Sequence, residues 1–272
     1  MKPQPNVVGG FFAAIWLLII SLPVYLMLRA AFETKAAYSQ AGPIGLPTTF
    51  TLDNFAYAFE IGFGKYLVNS GLITVGTVAI IFLLVPPLAF TIVRCTNPLV
   101  RQVFRLMLIG LAIPAQVVVL PVYYLIAQVG LYNSLLGVIL PTAAFAIPVS
   151  TLILTGSMRE ISNELYEAMA LDGASSWRTF WQLVVPLSRG GIATIIVFTA
   201  LNAWNGFLLP LVLTRSQDVM AATIGLNLFK QNFSLNVPGL MAAIVLTIIP
   251  IFLVYIFARR TLIAGLTGVG GK

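Results

Sequence analysis

The chain has 272 residues, of which 59% are hydrophobic and only 8% are charged, and its formal net charge is +7. A soluble domain carries about 25% charged residues, so this composition excludes an ordinary soluble protein and indicates a membrane protein. With no His and a single Cys, the chain lacks an internal disulfide, a Cys-rich metal site and His-based acid–base chemistry, and its scattered basic residues argue against nucleic-acid binding.

Six apolar stretches are each long enough to cross about 30 Å of hydrocarbon as a helix. They predict one all-α membrane domain over 1–272, with spans at 8–31, 68–93, 104–128, 134–157, 191–213 and 239–258. The first stretch exceeds the apolar core of a signal peptide, about 7–15 residues, so it is predicted to be an uncleaved span. Prolines inside the spans predict kinks rather than helix ends; they are Pro23, Pro86, Pro87, Pro114, Pro121 and Pro250.

The distribution of Lys and Arg predicts that both termini are cytoplasmic, because cytoplasmic loops carry an excess of these residues. In that orientation the outer segments contain five of them, at Arg29, Lys35, Lys65, Arg215 and Lys230. The cytoplasmic segments contain ten, at Lys2, Arg94, Arg101, Arg105, Arg159, Arg178, Arg189, Arg259, Arg260 and Lys272.

The longest predicted outer loop, residues 32–67, contains turn signals followed by a short amphipathic helix. Gly42-Pro43 marks a turn, and Thr51 can cap a helix in which Leu52, Phe55 and Phe59 share one face. Either this helix rests on the bundle at the membrane interface, or it forms a platform for an external binding protein.

Several polar or aromatic residues are predicted to lie at membrane depth. Gln116, Asn202 and Asn205 bring amides, and Tyr123 and Trp204 bring aromatic faces. The amides either form hydrogen bonds between helices or line a pathway for an uncharged, hydroxyl-rich solute. No Asp, Glu, Lys, Arg or His lies between positions 107 and 157 or between 191 and 214, which argues against a proton relay or ion conduction.

The predicted cytoplasmic loop 158–190 holds four of the eight acidic residues of the chain, at Glu160, Glu164, Glu167 and Asp172. A helix lying on the membrane surface would be rich in Lys and Arg, whereas this loop has three basic residues, Arg159, Arg178 and Arg189. The balance therefore favours a protein partner over a lipid surface.

Local signals predict a helix–turn–helix in the 158–190 loop. Ser162 or Asn163 can cap the first helix, and Gly173 suits the left-handed residue that ends it. Ser175 or Ser176 can cap a second short helix that Pro186 limits.

The segment EAMALDGASSWRTFWQLVVP, residues 167–186, resembles the EAA loop of bacterial ABC-importer permeases, whose pattern is E-A-A, three residues, G, nine residues, I-x-L-P. Glu167, Ala168, Gly173 and Pro186 fall in register, while Met169 replaces the second Ala. The resemblance implies that this segment, including Asp172, is a coupling helix that docks in a cleft of an ATPase, with Glu167 meeting a basic residue there.

Further segments resemble carbohydrate importer permeases of the maltose type, and in particular the shorter of their two permease subunits. The segments are Asn69-Ser70, residues 113–116 with Pro121, residues 130–133, Ala203-Trp204-Asn205 and the tail 260–268. One departure is Gly206, which stands where the family often has an acid, so a role of that acid does not transfer.

The resemblance implies a bacterial plasma (inner) membrane protein that moves sugars or oligosaccharides, catalyses no covalent chemistry and needs no cofactor or metal. The implied partners are a second permease subunit, two ATPase subunits and an extracytoplasmic solute-binding protein, within the lipid bilayer. Consistently, no complete G-x-x-x-x-G-K-[ST] nucleotide motif occurs in the chain. Three alternatives stay open: a permease for a non-sugar solute such as glycerol phosphate or an amino acid, an ATP-independent carrier, and an intramembrane enzyme.

Overall fold

The computed structural model describes residues 7–231 and 234–266. The end of the tail segment, from Thr267 onward, and the basic residues Lys2 and Lys272 lie outside the described residues. Almost everything described is helical, which confirms the all-α class. The exception is a hairpin of two short antiparallel strands, β1 (Lys230–Gln231) and β2 (Ser234–Leu235), in which Lys230 pairs with Leu235.

The chain divides into two compact units, and the first comprises Met1–Gly64 with Gly225–Pro250. It contains the long apolar helix α1 (Val7–Ala31) and the short helices α2 (Lys35–Ala41) and α3 (Asp53–Glu60). It also contains the hairpin and the first part of the last helix of the chain.

A buried ion pair organises the connection from α1 to α3. Arg29 and Glu33 are one turn apart, and Nη2 of Arg29 lies 2.9 Å from Oε2 of Glu33. Both side chains are almost fully buried. Arg29 also donates to the carbonyl of Gly42, Glu33 accepts the Thr48 amide, and Asn54 on α3 donates to the Glu33 carbonyl at 2.8 Å. These bonds stabilise a loop in which the sequence indicated only turns. The predicted short helix is present as α3, and Thr51 accepts the Asp53 amide at 3.0 Å.

The second unit, Lys65–Ile224 with Ile251–Lys272, contains most of the long helices. In the two units together, Pro23, Pro86, Pro87, Pro121 and Pro250 lie inside helices, so these prolines do not end helices, as predicted. The remaining helices in chain order are α4 (Phe63–Arg94), α5 (Pro98–Gly110), α6 (Ala115–Gln128), α7 (Leu135–Arg159), α8 (Asn163–Leu171), α9 (Ser176–Thr179), α10 (Val185–Leu187), α11 (Arg189–Trp204), α12 (Leu208–Leu213), α13 (Ala222–Gly225) and α14 (Val237–Leu266).

Four helices are long and apolar enough to cross a membrane: α1, α4, α7 and the Val237–Ile256 part of α14. Two further pairs of helices are long and apolar enough only when each pair is taken together as one broken span. The helices α5 and α6 are bent by 109°, and the segment Ser176–Leu187 is bent by 75° from α11. If each bent pair counts as one span, the described residues contain six.

The predicted third span, 104–128, is not a continuous helix. It breaks at residues 111–114, and Pro114 caps α6 in an extended conformation. A proline disfavours helical geometry in the residue before it, so the prediction that Pro114 only kinks a helix was wrong. The predicted fifth span, 191–213, is also interrupted, at residues 205–207 between α11 and α12.

Close packing of α7 against α11 forms the centre of the second unit. A Cβ added to Gly191 on α11 would lie 2.7 Å from the side chain of Ser157 on α7, so glycine allows the two backbones to approach. Next to this contact, the buried side chains of Val85, Leu154 and Ile195 belong to one apolar cluster.

Residues 214–222, which follow α12, are held by side chains from two other parts of the second unit. Asn133, with φ of +58°, accepts hydrogen bonds from the backbone amides of Arg215 and Ser216. Asn69 donates to the carbonyls of Asp218 and Met220 at 2.9 and 3.0 Å. Asn69 and Asn133 thus have an identifiable structural role.

Candidate coupling surface and translocation cavity

The 158–190 loop contains the predicted helix–turn–helix. Its first helix is α8, and Gly173 follows with φ of +69°. The Gly173 amide donates to the Ala170 carbonyl and the Ala174 amide donates to the Met169 carbonyl. These two bonds form a Schellman motif, which confirms the conformation predicted for Gly173.

The second half of the loop is more continuous than predicted. Ser175 caps α9 by accepting the Arg178 amide at 3.3 Å, as expected. A π-helical turn, Phe180–Val184, then joins α9 to α10. Pro186 lies within α10, and the helix ends at Leu187, one residue after the predicted limit.

One face of α8 is exposed and mixes charge with an apolar side chain. Glu164, Glu167 and Leu171 are spaced three and four residues apart, so they lie on one side of the helix. All three are exposed, Leu171 by 89%. Ala168, Asp172 and Gly173 are exposed as well, while Met169 is half-buried. The sequence analysis missed Leu171, although a Leu between acidic residues in a polar loop is a usable signal.

The opposite face of α8 is anchored to the bundle through Tyr166. This side chain is only 6% exposed, although the residues on both sides of it are acidic or exposed. The guanidinium carbon of Arg94, at the end of α4, lies 4.1 Å from the centre of the Tyr166 ring. Nothing in the local sequence distinguishes Tyr166 from a surface residue, and the sequence analysis missed it.

The protonation state of the Tyr166 phenol determines which kind of contact it makes with Arg94. Burial raises the pKa of the phenol above its ordinary value, and the positive charge of Arg94 offsets part of that increase. The ordinary pKa of tyrosine is about 10, so the phenol is neutral at physiological pH. The contact is therefore a cation–π interaction rather than an ion pair.

Aromatic residues anchor the second half of the loop. The Phe180 ring lies 5.6 Å from that of Phe90 on α4, and it contacts both Trp177 and Trp181. The two Trp side chains are exposed by 67% and 46%, which is typical of aromatic residues at a membrane interface.

A cavity of about 310 Å³ lies in the second unit, within the size range of small-molecule sites, about 300–1,000 Å³. Its lining is uncharged and comes from α4, α7, α11 and α12, with Ala115 at the start of α6. The lining residues include three threonines, one asparagine and three phenylalanines, namely Thr77, Thr142, Thr199, Asn202, Phe145, Phe198 and Phe207. Thr77 and Thr199 are almost fully buried.

Of the five predicted pathway residues, only Asn202 lines this cavity. Gln116 and Asn205 are exposed and each is adjacent in sequence to a lining residue, Ala115 or Gly206. Trp204 is half-buried in the last turn of α11. Tyr123 lies on α6, where its ring contacts those of Tyr124 and Tyr132, and is not in the lining.

Within the part of the chain that the structure describes, the amides of Asn202 and Asn205 bond to their own helix rather than between helices. Each Nδ2 donates to a carbonyl four residues earlier on α11, at 2.8 Å. The sequence analysis also missed the ring residues Phe145, Phe198 and Phe207, because phenylalanine in an apolar span has no signal that separates a cavity wall from a lipid-facing position. Among the described residues, no group of three or more His, Cys, Asp or Glu could hold a metal ion.

Comparison with known proteins adds a family and a fold. The sequence profile of the family described as "Binding-protein-dependent transport system inner membrane component" matches residues 93–267. The chain is 33% identical over 260 residues to the diacetylchitobiose uptake system permease protein NgcG of Streptomyces coelicolor, covering 94% of this chain and 85% of that one. It is 29% identical over 265 residues to the sn-glycerol-3-phosphate transport system permease protein UgpE of Yersinia pestis, covering 93% and 92%.

A solved structure shares the fold. It belongs to a bacterial ABC transporter involved in the import of the acidic polysaccharide alginate, and one of its chains superposes with a TM-score of 0.80. The superposition covers 96% of this chain and 98% of that chain, at 20% sequence identity. At this identity the likeness concerns the fold alone.

Proposed function

The chain belongs to the family of binding-protein-dependent transport system inner membrane components, and from this membership we propose that it is the permease subunit of an ABC importer for sugars or oligosaccharides. It spans the bacterial plasma membrane six times, with both termini in the cytoplasm. It catalyses no covalent chemistry itself. Two ATPase subunits hydrolyse ATP, a second permease subunit completes the pathway, and an extracytoplasmic solute-binding protein delivers the cargo.

The exposed face of α8 is the observation that carries this proposal. Glu164, Glu167 and Leu171 combine charge and apolar surface on a helix that the Schellman turn at Gly173 holds in place. Acidic residues beside an exposed apolar side chain are suited to a protein partner with a basic rim. The ATPase subunit is that partner, and its movement on ATP binding moves the 158–190 loop.

Charge reversal at Glu167 tests the docking assignment. Glu167→Lys places a positive charge against the basic residue of the ATPase, and such like-charge juxtaposition costs several kcal/mol. We expect the purified complex to lose its ATPase subunits and cells to lose uptake. Glu60→Lys reverses an exposed acid on α3, in the predicted outer segment, and should leave the co-purification of the ATPase subunits unchanged. Normal uptake by the Glu167→Lys variant would overturn the docking assignment.

The uncharged cavity supports a neutral cargo. Thr142, Asn202 and the aromatic rings of the lining suit sugar hydroxyls and ring faces, whereas an anionic cargo normally requires Arg or Lys in its site. The relative named for glycerol-3-phosphate favours the second candidate, an anionic solute. Thermal-shift measurements on the cognate solute-binding protein separate the two. Stabilisation by neutral oligosaccharides is expected, and stabilisation by anionic ligands alone would overturn the sugar assignment.

A further inference from the structure

The cytoplasmic end of α4 contacts the 158–190 loop through side chains far apart in sequence. Besides lying over the Tyr166 ring, Arg94 donates from its guanidinium to Oδ1 of Asn163 at 3.0 Å. Asn163 and Tyr166 are one turn apart on α8. Arg94 therefore holds the first turn of α8 at two points.

Tyr166 is positioned by its ring rather than by its hydroxyl. The ring belongs to the buried cluster that contains Ala89 of α4, Met158 of α7 and Val184 of the π-helical turn. The hydroxyl is buried and has no hydrogen-bond partner among the described residues. Because an unpartnered buried hydroxyl contributes no favourable interaction, the aromatic face explains why a tyrosine can occupy this position.

A second contact on the same side of α4 holds the other half of the loop. Phe90 precedes Arg94 by one turn, so both side chains project from one face of α4. The Phe90 ring packs against Phe180 in the π-helical turn, with 5.6 Å between ring centres. The two helical halves of the loop therefore pack against adjacent turns of α4.

The same helix forms part of the cavity wall. Ile73 and Thr77 on α4 line the cavity, and Thr77 is 17 residues before Arg94, a helical rise of about 26 Å. Pro86 and Pro87 lie between them inside the helix, and their missing amide donors make a bend easier at this point. A displacement of the Arg94 end of α4 by α8 therefore changes the angle of the helix at the prolines and moves the part that lines the cavity.

We propose that Arg94 and Tyr166 form a positioning joint that transmits movement of the ATPase-docked loop to α4 and so to the cavity wall. This inference rests on the proposed function, since it assumes that the exposed face of α8 docks an ATPase. Arg94 and Tyr166 touch neither the cargo nor the nucleotide. The loop is also joined covalently to α7 and α11, which transmit part of its movement. Arg94 and Tyr166 determine how much of the movement reaches α4.

The test is the amount of cargo transported per ATP hydrolysed, measured with the complete importer in proteoliposomes. Arg94→Met removes the charge and the donor while keeping an extended apolar chain, and Tyr166→Leu removes the aromatic face. Each should lower transport per ATP by about fivefold, the size of effect that a cation–π contact of moderate strength supports. The ATPase subunits should still co-purify, because the docking face is unchanged.

Matched controls separate the joint from a general structural role. Tyr166→Phe keeps the ring and removes only the unpartnered hydroxyl, so transport per ATP should stay within about twofold of the wild type. Asn163→Ala removes the hydrogen bond alone and should have a smaller effect than Arg94→Met. The double variant Arg94→Met/Tyr166→Leu should be no worse than the stronger single variant, because both changes remove one shared contact.

Different outcomes overturn different statements. An unchanged transport-to-ATP ratio in Arg94→Met, an exposed position where misfolding is not expected, overturns the joint. A loss in Tyr166→Phe as large as that in Tyr166→Leu does so too. If instead the wild-type chain co-purifies with no ATPase subunit, the proposed function fails before the joint is tested.

Discussion

Gly173 turns the chain from α8 towards α9 in a conformation that other residues rarely adopt. Its φ is +69°, and a Cβ at this position would meet no atom within 4 Å. Space is therefore not the constraint. The cost of a side chain here is the left-handed backbone itself, about 1–2 kcal/mol for an ordinary residue and more for a β-branched one.

Gly173→Val should destabilise the turn and reduce transport, whereas Gly173→Asn should be close to neutral because asparagine tolerates the left-handed conformation. Transport by purified complexes in proteoliposomes measures both. Equal loss in the two variants would mean that the surface around Gly173, rather than its backbone, is what matters.

Leu171 is the apolar residue on the exposed face of α8. Fully burying a Leu side chain contributes about 1.5–3 kcal/mol, and Leu171 is 89% exposed before any partner covers it. Leu171→Ser should therefore weaken ATPase binding by about tenfold. The affinity of detergent-purified permease for the ATPase subunit is the measurement. Leu165→Ser, on a different side of α8 and 42% exposed, is the control, and a loss of the same size there would contradict the assignment.

The sequence predicted residues whose role is local and missed those whose role depends on distant partners. Gly173 and Ser175 obey turn and capping rules that operate over a few residues. Tyr166 meets Arg94, which is 72 positions earlier, and no periodicity in the chain links them. For the same reason, Asn202 was identified as polar at membrane depth, but the three Phe residues of its cavity were not.

At the scale of elements, hydropathy predicted where apolar segments lie but not where they bend. Residues 106–127 contain no charged side chain, yet α5 and α6 meet at 109°. The signal was present in Ile113-Pro114, since a residue before proline avoids helical geometry. The hydropathy pattern also predicted α11 and α12 as one span, because the break at residues 205–207 ends in the apolar Phe207.

The segment after α12 offers a test of how one side chain orders a loop. Asn133→Ala removes the acceptor for the amides of Arg215 and Ser216 and places alanine at φ of +58°. We expect a loss of about 1–3 kcal/mol in local stability. Trypsin should then cleave faster after Arg215, which limited proteolysis followed by mass spectrometry measures.

Asn133→Gly separates the two causes at this position. Glycine accepts the positive φ but restores no hydrogen bond, so cleavage should remain faster than in the wild type. Cleavage at the wild-type rate in Asn133→Gly would show that the backbone conformation alone holds the segment.

For the whole molecule, the proposed orientation places Cys95, directly after α4, in the cytoplasm. Cys95 is the single cysteine of the chain and is exposed. A membrane-impermeant maleimide should label it in inside-out vesicles and not in right-side-out spheroplasts, and Cys95→Ser should abolish the signal. Labelling from the outer side alone would reverse the predicted topology.

The π-helical turn at Phe180–Val184 determines the rotational phase between the loop and α11. Such a turn is equivalent to an α-helix with one residue added, and each residue rotates the chain by about 100°. Wound as a regular α-helix, the same residues would turn α9 about a quarter of a circle from its present orientation relative to α10. The wider turn takes up the additional residue, so Phe180 keeps its contact with Phe90 of α4 while Val184 stays in the same buried cluster, and Gln182 remains exposed. The π-helical turn therefore acts as a spacer that absorbs one residue without changing the direction in which the side chains on either side of it point.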